Sequence, residues 1–265
     1  MIKEYIDVLL QAGKVGFSSQ EAEQSLGVSK QAIAMAVSRL RKKGQLVTPY
    51  RDFHVPIPPE YRSLGCLPAN QLLPPVMRHV KSDYYLCLLS AAAIHGAAHQ
   101  RPQITQVMTA KRMRPIQCGS VVIRFIYKKE LLDIPTQLVT VPTGYLKVST
   151  PEATAMDLLL YSQQSGGINH IATVLTELIE VIDPKKMLAL VQSSRENAWV
   201  QRLGYILEKI DPDEFRARDD SLLLLKKYID EINPSFVPLV SGSVKGCSWN
   251  KVWRVIINTE IESDL

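Results

Sequence analysis

GVSKQAIAMAVSRLRKKGQLVTPYRDFHV, from Gly27 to Val55, is the stretch that decides the fold of the N-terminal part of this chain. Between Ser29 and Lys43 it holds five basic side chains and no acidic one. Its apolar residues recur at helical spacing, which places Ile33, Val37 and Leu40 on one side of a helix. The pattern therefore predicts an amphipathic helix whose opposite side faces away from the core.

Two shorter helical patterns precede this helix. The first runs from Ile2 to Ala12, and the second begins at Ser18 or Ser19 with acidic residues in its first turn and ends before Gly27. A helix, a short turn that contains glycine and a longer helix are typical of helix-turn-helix organisation. The predicted inward stripe of the third helix consists of Ser29, Ala32, Ile33, Ala36, Val37 and Leu40.

A β-hairpin is predicted directly after the third helix. Residues 45–48 and 53–55 are β-prone, and Pro49 to Asp52 form a turn between them. This hairpin completes a winged helix-turn-helix domain at residues 1–57. The proline-rich stretch from Pro56 to Pro75 has no clear periodicity, so we expect a linker at residues 58–80 rather than a packed element.

The remaining residues, 81–265, are predicted to form a second, α+β domain. Ser82 to Ala97 is apolar nearly all round and predicts a buried helix, and four β-prone runs follow between residues 104 and 149. Thr150 and Pro151 then open a series of helices. The fold class expected is α+β: an N-terminal winged helix-turn-helix, then a domain with a small, mostly antiparallel sheet and a helical second half.

The outward side of the third helix is suited to a DNA major groove. Gln31 and Ser38 can approach base edges, cations near the helix end meet phosphates, and Arg51 at the wing tip reaches the flanking backbone or minor groove. The alternative is a winged helix used for protein contacts, with a solvated basic face. The residues predicted to bind DNA are Ser29, Lys30, Gln31, Met35, Ser38, Arg39, Arg41, Lys42, Lys43 and Arg51.

Composition excludes several classes of protein. The net charge of +5 and pI near 8.9 are compatible with nucleic acid, and the lack of a long apolar run or a secretory signal predicts a cytoplasmic protein without a membrane partner. The four cysteines form no CxxC pair, and the sequence has no phosphate loop, nucleophile elbow or dinucleotide fingerprint. We therefore expect no metal, no cofactor and no enzymatic activity.

Two further stretches resemble a known family. YYLCLLSAAAIHGAAHQRPQITQVMT, Tyr84 to Thr109, and GYLKVSTPEATAMDLLLY, Gly144 to Tyr161, are similar to the AbiEi antitoxins of bacterial abortive-infection and type IV toxin-antitoxin systems. The resemblance implies a phage-defence antitoxin that represses its own operon by binding double-stranded operator DNA and counters a cognate nucleotidyltransferase toxin. It carries over no catalytic residues, and the motif residues His95, Glu152 and Asp157 are expected to be structural.

A second basic stretch, from Arg101 to Lys129, holds seven basic residues and no acidic one. Because nucleotidyltransferases carry acidic metal-binding centres, this stretch offers complementary charge for neutralising the toxin. The same cations could instead extend the DNA footprint or be simply solvated. Two other functions stay open, a one-component transcriptional regulator that senses a small molecule and a nuclease delivered by a DNA-binding module. The predicted toxin-neutralisation surface consists of Lys111, Arg112, Arg114 and Arg124.

Overall fold

The computed structural model describes residues 1–98, 102–209 and 216–261. The chain forms two compact units. The first unit comprises Met1–Leu86, Gln103–Asp133 and Leu138–Val148, and the second comprises Cys87–Pro102, Ile134–Gln137 and Ser149–Leu265. Within the described residues, no helix has the length and apolar content that a membrane span requires.

The first unit begins with three helices and a small antiparallel sheet in the predicted order. Phe17 in β1 pairs with His54 in β3, and Val47 in β2 pairs with Val55, so that the strand order is β1-β3-β2. The predicted turn Pro49 to Asp52 is tighter than expected, because β2 extends to Tyr50. The elements are α1 Ile2–Gln11, β1 Phe17–Ser18, α2 Ser19–Leu26, α3 Lys30–Lys42, β2 Leu46–Tyr50 and β3 Phe53–Pro56.

Local signals explain the bounds of these helices. Ser18 caps α2 by accepting a hydrogen bond from the backbone N–H of Glu21, whose carboxylate accepts from the backbone N–H of Ser18. Gly27 ends α2 in a left-handed conformation with φ of 63°. The helices pack on the sheet through an apolar cluster, whose buried members are Ile6, Leu9, Phe17, Ala22, Ile33, Val37, Leu40 and Leu46.

The expected linker at residues 58–80 is wrong, because this segment is packed. It contains a 3-10 turn, Pro59–Tyr61, and a full helix, α4 Ala69–Val80, that buries Leu72, Leu73 and Val76. Pro75 lies inside α4 and has no N–H for the carbonyl of Gln71. The hydroxyl of Thr143 donates to that carbonyl at 2.8 Å, so a residue distant in sequence supplies the missing bond.

The sheet that follows has six strands and is mixed, which corrects the small, mostly antiparallel sheet that was predicted. Its order is β6-β7-β5-β4-β9-β8; β5 runs parallel to β7, and β4 runs parallel to β9. The predicted helix from Ser82 to Ala97 is also wrong at its start, because Tyr84–Leu86 forms strand β4, paired with β5 and β9. The strands are β4 Tyr84–Leu86, β5 Ile104–Thr109, β6 Ile116–Cys118, β7 Val121–Tyr127, β8 Thr136–Val141 and β9 Gly144–Ser149.

The second unit is mainly helical, as predicted for the second half of the chain. Thr150 caps α6 by accepting a hydrogen bond from the backbone N–H of Ala153, and the helix is buried on nearly every side. A 3-10 turn, Ile179–Val181, follows α7. The predicted end of one helix at Ile210 and start of the next at Asp213 lie outside the described residues. The helices are α5 Leu88–Ile94, α6 Pro151–Leu160, α7 Ile168–Leu178, α8 Pro184–Ser193, α9 Ala198–Leu207 and α10 Arg216–Ile232.

A small sheet ends the described part of the second unit. Its order is β10-β12-β11, with β10 parallel and β11 antiparallel to β12. Two of these strands were expected over longer ranges, at residues 235–240 and 252–258, and β11 was not expected. The strands are β10 Val237–Pro238, β11 Ser248–Asn250 and β12 Val255–Ile257.

Candidate nucleic-acid interface

Helix α3 turns a continuous uncharged surface outward along its middle. Gln31, Met35 and Ser38 are all exposed, and Met35 keeps 56% of its surface accessible. Residues three or four positions apart share one helix face, so these side chains lie on the side opposite Ile33 and Val37, which are buried. The predicted inward stripe is correct for Ile33, Val37 and Leu40, whereas Ser29 and Ala32 are exposed.

The cations of α3 gather at its C-terminal end. Arg39, Arg41 and Lys42 occupy the last turn, where positive charge interacts favourably with the helix dipole, and Lys43 is the C-cap. All four side chains are exposed, as is Lys30 in the first turn. Among the described residues, none of these five cations forms an ion pair with a carboxylate. Their charges are therefore available to an external anion.

Ser29 already has a structural role at the start of α3. Its hydroxyl accepts a hydrogen bond from the backbone N–H of Ala32 at 3.3 Å, which caps the helix. The side chain remains exposed. A contact between this hydroxyl and a phosphate would add to the cap rather than replace it.

Arg51 lies exposed at the turn between β2 and β3, as predicted for a wing tip. The next residue, Asp52, has a left-handed φ of 56°, and its carboxylate accepts a hydrogen bond from the backbone N–H of Ser19 at 3.2 Å. His79 in α4 donates from Nε2 to the carbonyl of Arg51 at 3.1 Å and stacks on Phe53 with ring centroids 4.8 Å apart. The wing is thus held at its tip from α2 and from α4.

The role of His79 was not predicted, because no local pattern connects it with a residue 28 positions earlier. His54 was likewise unassigned. It is buried between the hydroxyls of Thr48 and Ser19, each 3.0 Å from one ring nitrogen. Burial lowers the pKa of His54, which favours the neutral ring.

Two cations of the second basic stretch lie beside the wing. Arg112 and Arg114 line the same cleft as residues 48–51, with a volume of about 560 Å³. The guanidinium of Arg112 lies 4.6 Å from the ring centroid of Tyr127. The described part of the first unit therefore brings Arg51, Arg112 and Arg114 together in one open cleft.

The other two cations predicted for toxin neutralisation lie elsewhere on the first unit. Lys111 donates from Nζ to the carbonyl of Val80 at 2.9 Å, at the C-terminal end of α4. Arg124 is exposed on β7, in register with Gln106 of β5. Neither lines the cleft beside the wing. Arg101 of the same basic stretch lies outside the described residues.

The family-like motif residues of the second unit are bonded within the fold, and two of the three are buried. Glu152 is 2% exposed and accepts a hydrogen bond from the backbone N–H of Asp183, whereas Asp157 is fully buried within α6. His95 donates from Nε2 to the carbonyl of Ser149 at 2.7 Å, and burial lowers its pKa. Among the described residues, no group of acidic, histidine or cysteine side chains is arranged to hold a metal ion. These contacts join elements of the fold.

Comparison with known proteins finds a family match for the central part of the chain. Residues 84–209 match the family model of the AbiEi antitoxin C-terminal domain. No curated protein matches the chain. The crystal structure of the RV2827C protein from Mycobacterium tuberculosis is similar in fold, with a TM-score of 0.66 and 16% identity over 95% of this chain and 89% of that chain. An antigenic nucleotidyltransferase-like protein from Paracoccidioides brasiliensis aligns at a TM-score of 0.33 and 9% identity, over 62% of this chain and 88% of that chain.

Proposed function

Residues 84–209 are an AbiEi antitoxin C-terminal domain, and from this premise we propose that the chain is the DNA-binding antitoxin of a type IV toxin-antitoxin system. In this proposal the N-terminal winged helix-turn-helix represses the antitoxin's own operon in the cytoplasm. The rest of the chain neutralises a cognate nucleotidyltransferase toxin, and the antitoxin itself catalyses no reaction.

The observation that carries the DNA-binding proposal is the division of the outer face of α3. Gln31, Met35 and Ser38 are exposed and uncharged, and the unpaired cations follow at the end of the helix. A helix inserted in a major groove needs short hydrogen-bonding side chains against base edges and cations against the phosphates beside them. A merely solvated helix face does not require this separation.

Arg51, Arg112 and Arg114 support a wider contact with the DNA backbone. Because they line one cleft at the wing tip, a phosphate held by Arg51 would lie within the field of the other two. We therefore favour a DNA role for Arg112 and Arg114. A toxin-facing role for Lys111, Arg112, Arg114 and Arg124 remains the competing proposal, and it predicts a loss of neutralisation rather than of operator binding.

Operator binding tests the proposal. Replacing Arg39, Arg41 and Lys42 by Ala should weaken binding of the full-length chain to a duplex from its own promoter region. The plot of log affinity against log salt should become shallower by roughly 0.9 for each phosphate contact removed. The matched control is Lys185, Lys186 and Lys227 to Ala, which removes the same charge from exposed positions of the second unit. Equal affinity and equal salt slope for the two triple variants would refute the interface.

A further inference from the structure

Arg62 lies in the segment between the wing and α4, at a position that the structure fixes. It directly follows the 3-10 turn that ends at Tyr61, has helical backbone angles and is exposed. The Tyr61 hydroxyl accepts a hydrogen bond from Nε2 of Gln71 in α4 at 3.0 Å. The carbonyl of Leu64 accepts from the backbone N–H of Ser120, also at 3.0 Å. The chain on both sides of Arg62 is therefore held by more distant parts of the first unit.

Arg62 shares an open cleft with the C-terminal end of α3. The cleft has a volume of about 540 Å³, and Leu46 and Ile57, which are buried, form part of its lining. Its charged lining residues are all basic: Arg41, Lys42 and Arg62. These three side chains are exposed, and none forms an ion pair with a carboxylate in the part of the chain that the structure describes.

The charge in this cleft attracts an anion. A cleft with one sign of charge and low-dielectric walls concentrates counter-ions. The last carbonyls of α3 carry partial negative charge, which disfavours an anion at this end of the helix. A cation from outside the helix offsets that effect, and Arg62 lines the cleft where such a cation is needed. Its planar guanidinium can donate two parallel hydrogen bonds to a phosphate.

The position of the cleft favours a phosphate of DNA over a small free anion. Ser38, which also lines the cleft, belongs to the uncharged face of α3 that is proposed for the major groove. Strand β2 lines this cleft with its first two residues. Its last three residues line the cleft at the wing tip, together with Arg51, Arg112 and Arg114. A DNA backbone is a line of phosphates and can contact both clefts, whereas a small anion would occupy one.

We propose that Arg62 extends the DNA interface beyond the winged helix-turn-helix, by binding a backbone phosphate in the cleft that it shares with Arg41 and Lys42. The inference rests on the proposed function, because the phosphate belongs to operator DNA. A phosphate contact carries no sequence information by itself. Arg62 therefore contributes affinity and salt dependence, and it does so equally for the operator and for unrelated DNA.

Fluorescence anisotropy of the full-length chain with a duplex from its own promoter region tests this contact. Arg62→Ala should weaken binding on the order of fivefold, and the plot of log affinity against log salt should become shallower by roughly 0.9, the value for one phosphate contact. The affinity for an unrelated duplex of the same length should fall by the same factor. Arg62→Lys keeps the charge but not the planar guanidinium, so it should retain the salt slope and lose less affinity. The matched control is Arg195→Ala, which removes an exposed arginine from the second unit.

The outcomes separate this contact from the proposed function. If the wild-type chain binds its operator, equal affinity and equal salt slope for Arg62→Ala and Arg195→Ala would overturn the contact alone. A loss confined to the operator duplex would also overturn it, because Arg62 would then act in sequence recognition. So would calorimetric binding of inorganic phosphate to the DNA-free wild-type chain that Arg62→Ala abolishes without changing operator binding. If the wild-type chain does not bind its operator, the proposed repressor function itself fails.

Discussion

The carboxylate of Glu152 accepts a hydrogen bond from the backbone N–H of Asp183, with 2.9 Å between Oε1 and the nitrogen. This contact joins the first turn of α6 to the start of α8, where Asp183 in turn caps the helix by accepting from Lys185 and Lys186. Because Glu152 is 2% exposed, its oxygens have little water to replace a lost partner. A motif acid of the family-like segment therefore links two helices of the second unit.

We expect Glu152→Ala to lower the free energy of unfolding by about 1–3 kcal/mol, because the partly buried N–H of Asp183 loses its acceptor. Glu152→Gln keeps an oxygen at the same position and should lower the free energy of unfolding by less. Urea denaturation of the two variants measures the difference. If Glu152→Gln folds normally but no longer rescues growth from the toxin, a structural role is insufficient and the acid acts in neutralisation.

Stability should fall as the pH drops below about 6.5, the ordinary pKa of histidine, because His54 has a lowered pKa in the folded chain. The unfolded chain then binds more protons than the folded one, which favours unfolding. Burial is the main cause; the charges of Arg41 and His79 act in the same direction, and Asp52 opposes them. Above about pH 7.5 this contribution is constant.

The measurement is a series of urea denaturations between pH 5 and pH 8. His54→Gln should flatten the dependence in part, because burial lowers the pKa of His95 as well and gives it the same sign. The double variant with His95→Gln should flatten it further. A wild-type chain that becomes more stable between pH 7 and pH 5.5 would contradict the prediction.

Gly119→Ala should destabilise the first unit strongly. A Cβ at this position would lie 1.9 Å from the carbonyl oxygen of Leu64 and 2.8 Å from Cα of Gly65. The backbone N–H of Ser120 also bonds to the Leu64 carbonyl at 3.0 Å, so the turn cannot move away without breaking that bond. We expect a loss of about 3 kcal/mol or more, from overpacking and left-handed strain combined.

Gly13→Ala is the control for that measurement. Gly13 has a left-handed φ of 72°, comparable with 56° at Gly119, but a Cβ there would meet nothing within 4 Å. Its substitution should cost only the backbone strain, about 1–2 kcal/mol. Thermal unfolding measures the loss of stability in both variants, and the difference between the two losses gives the steric contribution at Gly119. Equal losses would show that Leu64 does not pack on the turn at Gly119.

Arg112→Ala/Arg114→Ala should weaken operator binding and reduce its salt dependence, while growth rescue from the toxin persists. The reason is their position in one cleft with Arg51. Lys185→Ala/Lys186→Ala, which removes two exposed charges from α8, serves as the control. Each variant is expressed from an unrelated promoter, so that a loss of repression does not change the amount of antitoxin in the cell. Loss of rescue with normal operator binding would instead support the toxin-neutralisation surface.

The N-terminal elements could be predicted because their signals are local. Ser18 and Ser29 cap helices within three residues, and Gly27 provides the left-handed turn that ends α2. The exposure of Gln31 and Met35 follows from helical spacing alone, once Ile33 and Val37 face the core. The outer face of α3, which is the central part of the proposed DNA interface, could therefore be predicted from one segment of sequence.

The errors lie where distant residues decide the structure. Pro74 and Pro75 locally predict a break in the helix, yet α4 continues through both. Thr143 donates to the carbonyl of Gln71, which Pro75 leaves without a donor. Tyr84 to Leu86 resembles the start of a buried helix, because a central strand covered on both faces has the same unbroken apolar pattern. Only pairing with β5 and β9 distinguishes the two structures.

The sequence by itself determined which residues of α3 face outward, where its cations lie and that the second half of the chain is helical, since each follows from caps and periodicity within a single element. Only the tertiary structure decided that Arg112 and Arg114 lie beside Arg51 and that residues 69–80 form a packed helix. The physical reason is that strand order and register depend on hydrogen bonds between segments that no local pattern specifies.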